Sequence, residues 1–222
     1  MMEITANALN FFYKMFLSCY MTGRDSSEFN RKKIEEILES GAGMSFPVFC
    51  SELKDWETRG RAIGDVAQAL EKKVVDVEVL LNYFGGPSHT SVVAEELRES
   101  NFTEDNTFFR YAIFAHMLIP LKITGISLKK PLIKGVYENN GISVEVKHLV
   151  FLEKERKKIL KGGIVLCHFP MVIDSAPSPE MIEILLSLQR KDTKFKRAAK
   201  SFPEGVDHAK FPYLMMLIKR ML

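Results

Sequence analysis

The spacing of apolar residues changes at Pro120, and this change limits the fold more than any other feature. Before it, apolar residues recur at helical intervals, as in 34–38. After it, β-branched residues dominate, and a hairpin is expected at 132–152. Helices followed by strands and then by helices are typical of α+β proteins. We therefore expect a helical N-terminal half, a small antiparallel sheet of about 3–4 strands that includes the hairpin, and C-terminal helices.

Turn and cap residues mark the ends of several elements. Asn140 and Gly141 stand between two candidate strands, and both residue types tolerate the positive φ of a type I′ hairpin turn. Ser178 precedes a proline and an acidic residue, which predicts the start of a C-terminal helix. The apolar stretch 103–119 predicts a helix at the centre of the molecule, and 213–222 predicts a short final helix.

Charged residues are distributed unevenly between the two halves. Residues 1–120 carry 12 Lys/Arg and 18 Asp/Glu, a net charge of −6, whereas residues 121–222 carry 19 and 10, a net charge of +9. We expect an acidic helical region over 1–119 and a basic α+β region over 120–222, which together form one compact unit. The asymmetry favours an acidic partner for the basic half, or self-association of acidic and basic halves into a homo-oligomer. Two solvated surfaces that differ in charge are the alternative explanation.

The candidate anion-binding residues are basic side chains of the C-terminal half, six of which lie in the run 190–200. They are Lys129, Lys130, Arg156, Lys157, Lys158, Arg190, Lys191, Lys194, Lys196, Arg197 and Lys200. On a shared face they would bind phosphates by counterion release, without sequence preference. Anionic lipid headgroups would suit the same charges. The sequence therefore predicts a non-enzymatic binding or assembly protein, with nucleic acid as the first expected partner and an anionic membrane or an acidic protein as the second.

A second pattern concerns the strand 142–148, where Glu145 and Lys147 are separated by one residue. This pattern resembles the E-x-K element of restriction-endonuclease-like nucleases, in which the carboxylate holds a divalent metal and the lysine orients water or stabilises charge. The preceding strand, 131–137, contains no carboxylate, although Mg²⁺ requires several oxygen ligands. The alternating apolar and polar residues also fit an ordinary half-buried strand. The resemblance implies, as the alternative function, a metal-dependent nuclease-like protein with a degenerate site.

Residues 62–82 resemble the helix-turn-helix pattern of DNA-binding domains, because small and apolar residues recur at the matching positions. Glu71 occupies the turn position at which glycine is usual. Asp76 and Glu78 lie in the expected recognition helix, where carboxylates would be repelled by phosphates. Two packed core helices are the alternative interpretation, and they account better for these acidic residues.

The sequence lacks the signatures of several other classes of protein. No dinucleotide, P-loop or nucleophile-elbow motif occurs, so we expect no cofactor and no metal. The three cysteines are widely spaced and form no CxxC pair, which predicts buried thiols in a reducing, intracellular compartment, either cytoplasmic or nuclear. Polar residues interrupt the apolar segment 1–21, which favours a core helix over a membrane span.

Overall fold

The computed structural model describes residues 2–21, 28–40, 45–51, 53 and 57–202. The α-helices of this part are α1 (Ala6–Met21), α2 (Glu28–Ser40), α3 (Phe46–Ser51), α4 (Glu57–Ala69), α5 (Val77–Gly85), α6 (Pro87–Glu99), α7 (Thr107–Ala115), α8 (Pro179–Lys191) and α9 (Thr193–Lys200). The strands are β1 (Glu3–Ile4), β2 (Val74–Val75), β3 (Ile119–Ile126), β4 (Leu132–Asn139), β5 (Ile142–Val150), β6 (Ile164–His168) and β7 (Met171–Asp174). A 3-10 helix spans Glu153–Lys158. The predicted final helix at 213–222 lies outside the described residues.

Strands β3 to β7 form a closed sheet in the order β3-β4-β5-β7-β6. Its neighbours are antiparallel except for β5 and β7, which run parallel and pair at Val150 and Met171. A separate parallel pair joins β1 and β2. The prediction of a small antiparallel sheet of about 3–4 strands is therefore wrong, because the sheet is mixed, closed and larger. The α+β class is confirmed.

The size of the sheet was underestimated for two reasons. Some of its strands are short, and the sheet closes by pairing residues that are far apart in the sequence. Strands β1 and β2 have two residues each, and β7 has four, which is too short for an alternating pattern. The sheet closes where β5 and β7 pair at a single position, Val150 with Met171, beside which the Val150 amide donates a hydrogen bond to the Pro170 carbonyl oxygen at 2.9 Å. No local sequence pattern indicates such a pairing.

The predicted hairpin turn is confirmed, and the predicted central helix is shorter than expected. Asn140 and Gly141 have φ values of 48° and 75°, and the residues on either side of them pair across the β4–β5 ladder. Helix α7 ends at Ala115, and β3 begins at Ile119, within the stretch predicted as helix. Ile119 precedes a proline, and that position disfavours helical backbone.

Two hydrophobic cores divide the molecule, and their boundary does not fall at residue 120. The first core contains α1 to α5 and one side of α8, with Phe12 and Phe49 in edge-to-face contact at 5.2 Å between ring centroids. The second core fills the closed sheet and extends to α6, α7 and α9, where Phe114 and Phe195 stack at 5.6 Å. Helices α6 and α7 therefore pack with the sheet, although they belong to the acidic N-terminal region. Whether 1–119 and 120–222 behave as one unit stays a prediction.

The segment that resembles a helix-turn-helix has a different geometry. Strand β2 separates α4 from α5, and Glu71 adopts a φ of 54° just before it. Leu80, Leu81 and Tyr83 of α5 are all buried, so α5 is a core helix that cannot enter a DNA groove. The Asp76 carboxylate accepts a hydrogen bond from the Val79 amide at 3.0 Å and caps α5, which explains an acidic residue at this position.

Candidate functional site

The eleven predicted anion-binding residues fall into two groups at opposite ends of the β4–β5 ladder. One group lies on α9 and the end of α8, next to the hairpin turn at 139–142. The other group lies in the β3–β4 loop and the 3-10 helix, next to the pair Leu132 and Val150 at the far end of the same strands. Strand β4 has eight residues, so the groups are roughly 25 Å apart at about 3.3 Å per residue.

Helix α9 carries most of the first group, and we name its four cations, Lys194, Lys196, Arg197 and Lys200, the α9 surface. The helix buries Phe195, Ala198 and Ala199 against the second core. Its cationic residues lie on the remaining face, where Lys196, Arg197 and Lys200 follow helical spacing along one stripe. The aromatic and alanine side chains therefore determine which way the cations point.

Asp192 fixes the beginning of α9. Its side chain is buried and accepts hydrogen bonds from the Phe195 amide at 3.0 Å and from the Thr90 hydroxyl at 2.5 Å. The first bond caps α9, and the second ties it to α6. A carboxylate at this position also suits the positive end of the helix dipole.

Gln189 on α8 holds the hairpin beside α9. This buried side chain donates a hydrogen bond to the Leu118 carbonyl oxygen at 2.8 Å and accepts one from the Tyr137 hydroxyl at 3.0 Å. Burial raises the pKa of Tyr137 to about 12, so its hydroxyl remains a donor at neutral pH. Asn139 donates to the Leu186 carbonyl oxygen at 3.0 Å, which places the turn of the hairpin against α8.

A cavity of about 460 Å³ lies between α9 and the hairpin turn. Its lining contains three cations, four uncharged residues and no carboxylate: Asn140, Ile142, Thr193, Lys196, Arg197, Lys200 and Ser201. A neighbouring cavity of about 190 Å³ shares Thr193 and Arg197 and adds Lys194 and Arg110. Glu104 lines this second cavity and accepts a hydrogen bond from Arg197 at 2.9 Å. The larger cavity is therefore the more cationic of the two.

The two predicted residues at the end of α8 lie outside both cavity linings. Arg190 donates a hydrogen bond to the Glu183 carboxylate at 2.6 Å, which offsets its charge. Lys191 is exposed next to the break between α8 and α9. These two residues add to the potential around the α9 surface but do not line its cavities.

The second group surrounds one open end of the closed sheet, and we name it the rim surface. It comprises the loop 127–131 and the segment 153–163. The Arg156 guanidinium donates to the Ser127 carbonyl oxygen at 3.2 Å, which joins the two segments. Arg156 also pairs with Glu153, and this hydrogen bond raises the pKa of Arg156 and lowers the pKa of Glu153.

The other predicted residues of the rim surface are exposed lysines: Lys129, Lys130, Lys157 and Lys158. Glu155 lies in the same segment, but its carboxylate is buried and pairs with Lys14 of α1 at 2.7 Å. Because Glu153 and Glu155 are each paired with a cation, they compensate little of the charge of the lysines. The rim surface is therefore strongly cationic.

Glu145 and Lys147 lie on the outer face of β5 and pair with each other at 3.4 Å. Both side chains are well exposed, and Val136 is opposite Glu145 on the neighbouring strand. In the described part of the chain, no three His, Cys, Asp or Glu side chains form a group that could hold a metal ion. These observations favour the interpretation of 142–148 as an ordinary half-buried strand.

Sequence reasoning missed a cluster of three histidines where the two cores meet. The rings of His89, His116 and His168 lie together, with centroids 6.3 Å apart for His89 and His168 and 5.8 Å apart for His116 and His168. Ser18 of α1 donates to the His168 carbonyl oxygen at 2.6 Å, and its Oγ lies 2.9 Å from the His168 Nδ1. Ser18 and His168 are fully buried, so their hydrogen bond joins α1 to the sheet in the interior of the molecule. The three histidines are far apart in the sequence, which therefore gives no signal of the cluster.

Cys50 and Cys167 are free, buried thiols, as predicted for these two cysteines, and the side chain of Cys19 lies outside the described residues. Burial raises the pKa of the Cys50 thiol to about 12 and raises that of Cys167 as well. Both thiols are therefore poor nucleophiles. Among the helices of the described ranges, none combines the length and the apolar character needed to cross a membrane.

Comparison with known proteins gives no family for this chain. No protein-family model matches it, and no curated protein and no solved structure matches it either. The function must therefore be inferred from the geometry and charge of its own surfaces.

Proposed function

We propose that this protein binds nucleic acid through the α9 surface, by contacts with phosphates rather than with bases. The observation that carries the proposal is the 460 Å³ cavity beside α9, whose lining includes three cations and no carboxylate. Lysine and arginine side chains in such a cavity can replace the counterions of a phosphate backbone. The hydroxyl and amide groups of Ser201, Thr193 and Asn140 can add hydrogen bonds to phosphate oxygens.

The lining of this cavity also predicts what the protein does not recognise. It contains no aromatic side chain on which a base could stack. Binding should therefore depend weakly on sequence and should occur with single-stranded and double-stranded nucleic acid. With the four cations of the α9 surface contacting phosphates, the logarithm of the affinity should fall with a slope of about −3.6 against the logarithm of salt concentration.

The test is the fluorescence anisotropy of a labelled DNA duplex at about 50 mM salt. The double variant Lys196→Glu/Lys200→Glu should bind roughly 50-fold more weakly, because two phosphate contacts become repulsions. The matched control is Lys32→Glu/Lys73→Glu, which changes the net charge equally at exposed positions of the N-terminal half. Equal losses in both variants, or no binding by the unaltered protein at low salt, would contradict the proposal.

The same samples separate binding from the two other functions that the sequence suggested. We expect the duplex to remain intact with Mg²⁺ or Mn²⁺, whereas cleavage that is lost in Lys147→Ala would support the nuclease-like alternative. Self-association of the acidic and basic regions would appear in sedimentation velocity as a mass that falls when salt is raised. A monomer at all salt concentrations would exclude that mode of assembly.

A further inference from the structure

The rim surface differs from the α9 surface in carrying exposed leucines. Leu128 is 95% exposed and Leu160 is 66% exposed, whereas the other leucines of the described ranges are buried or partly buried. Ile164 at the start of β6 is 40% exposed. A single exposed leucine is common, whereas two on adjacent loops offer an apolar contact to a partner.

Hydrogen bonds within each loop hold the leucines outward. The Ser127 amide donates to the Leu132 carbonyl oxygen at 2.9 Å, and the Lys130 amide donates to the Ser127 hydroxyl at 3.2 Å, so the loop turns tightly around Leu128. In the other loop, Gly162 has a φ of 86°, and the Gly163 amide donates to the Leu160 carbonyl oxygen at 3.0 Å. Both leucines therefore project from ordered turns.

The two loops lie at the same end of the closed sheet. The Gly162 amide donates to the Ile123 carbonyl oxygen, and the Ile123 amide donates to the Gly163 carbonyl oxygen, each at 2.9 Å. The segment 160–163 thus continues along β3 towards the loop that follows Ile126. Arg156 joins the two segments through the Ser127 carbonyl oxygen. Leu128 and Leu160 consequently belong to one surface.

Lysines surround both leucines. The exposed lysines of the rim surface are Lys129, Lys130, Lys154, Lys157, Lys158 and Lys161. Within the portion of the chain that the structure describes, none of them pairs with a carboxylate, since Glu153 pairs with Arg156 and Glu155 with Lys14. Exposed lysines in the same two segments as exposed leucines have the chemistry of a membrane-binding surface, because lysines attract anionic headgroups and leucines enter the interface.

We propose that the rim surface docks on an anionic lipid bilayer, with Leu128 and Leu160 inserted at the level of the headgroups. The six lysines would contact the phosphates and carboxylates of anionic lipids such as phosphatidylserine. Nucleic acid fits this surface less well, because two exposed leucines among the lysines would gain nothing from a phosphate backbone. This inference rests on a different surface from the nucleic-acid proposal and does not depend on it.

Co-sedimentation with lipid vesicles tests the proposal. The full chain should bind phosphatidylcholine vesicles that contain about 30% phosphatidylserine and should not bind pure phosphatidylcholine. Leu128→Ser/Leu160→Ser should lower the partition coefficient by about 100-fold, since each inserted leucine contributes about tenfold. Lys129→Glu/Lys130→Glu should lower it by at least about 25-fold, because loss of each lysine costs about fivefold and the new carboxylates add repulsion.

Three controls make these losses specific to the rim surface. Val48→Ser removes another exposed apolar side chain, on α3, and should leave vesicle binding unchanged. Lys196→Glu/Lys200→Glu should also leave it unchanged, which separates this proposal from the one for nucleic acid. Thermal unfolding should show that the leucine variant remains folded, because both side chains are exposed.

Three results would overturn the membrane proposal. The first is no binding of the unaltered chain to phosphatidylserine vesicles at low salt. The second is unchanged binding by Leu128→Ser/Leu160→Ser, which would mean that charge alone adsorbs the protein. Loss of duplex binding in the rim variants but not in the α9 variant would assign the rim surface to nucleic acid instead.

Discussion

The α9 surface and the rim surface have the same sign of charge but differ in the residues that accompany the charge. On α9, the cations lie along a stripe beside a cavity whose lining has no carboxylate, and the apolar residues of the helix are buried. On the rim, the lysines surround two leucines that project into solvent. Charge attracts both surfaces to anions, whereas the neighbouring side chains distinguish a polyanion from a bilayer.

The two surfaces also differ in how they are supported. Helix α9 is anchored by a buried aromatic side chain, Phe195, and by the cap at Asp192. The rim consists of turns held by hydrogen bonds, by two ion pairs, Glu153 with Arg156 and Lys14 with Glu155, and by Ile159, which is buried in the second core. Loss of the Asp192 cap should therefore affect α9 more than the rim, whereas loss of the Lys14–Glu155 pair should affect the rim more.

The largest expected difference between the two surfaces is in how strongly salt weakens their binding. Between about 50 and 200 mM salt, we expect duplex binding to fall about 100-fold, because released counterions dominate the affinity. Vesicle binding should fall only about tenfold, because insertion of the leucines is not screened. Measurement of both affinities at a series of salt concentrations checks this. Equal dependence on salt would indicate that the leucines contribute nothing.

The two charge-reversal variants, each tested with both ligands, should show the next largest effect. Lys196→Glu/Lys200→Glu should lose roughly 50-fold in duplex affinity and less than about twofold in vesicle binding. Lys129→Glu/Lys130→Glu should show the reverse, with at least about 25-fold lost on vesicles. Anisotropy and co-sedimentation on the same preparations measure both. If each variant lost both activities equally, the two surfaces would act as one.

Removal of the N-cap of α9 should destabilise the protein and thereby weaken binding at the α9 surface. Asp192→Ala leaves the Phe195 amide and the buried Thr90 hydroxyl without this acceptor, at a cost of about 2 kcal/mol in the free energy of unfolding. Asp192→Asn keeps one acceptor oxygen and should cost about 1 kcal/mol. Chemical denaturation measures the stability, and duplex binding should weaken more than vesicle binding. An unchanged free energy of unfolding would show that the cap contributes little.

Removal of the cation beside Glu155 tests the support of the rim. Lys14→Met leaves a buried carboxylate uncompensated, and unfolding should become easier by about 2 kcal/mol, less than for a fully buried pair because Lys14 is partly exposed. The double variant Lys14→Met/Glu155→Gln should recover most of this loss, because no buried charge remains. Chemical denaturation of the unaltered protein, Lys14→Met, Glu155→Gln and the double variant measures this coupling. Additive losses in the double variant would mean that the pair does not interact energetically.

Local signals in the sequence predicted much of the fold. Asn140 and Gly141 form the expected turn, and Ser178 caps α8 through a hydrogen bond from the Met181 amide at 3.2 Å. In contrast, the helix predicted to reach residue 119 ends at Ala115, because apolar content alone cannot distinguish a buried helix from a buried strand.

The candidate surfaces were predicted only in part. The basic residues of 190–200 were recognised as a group, but their alignment depends on the buried face of α9. Leu128 and Leu160 were overlooked, although each stands next to lysine in a segment rich in turn-forming residues. An isolated leucine among lysines, outside any helical or alternating pattern, is the signal that could have indicated them.

The sequence by itself determined the α+β class, the hairpin turn, the caps of helices and the excess of positive charge after residue 120. These features depend on residues within a few positions of each other, and their propensities act locally. Tertiary structure alone decided the closure of the sheet between Val150 and Met171, the meeting of three distant histidines and the separation of the basic residues to opposite ends of β4 and β5. Those arrangements arise from burial and hydrogen bonding between residues far apart in the chain, which leave no periodic trace in the sequence.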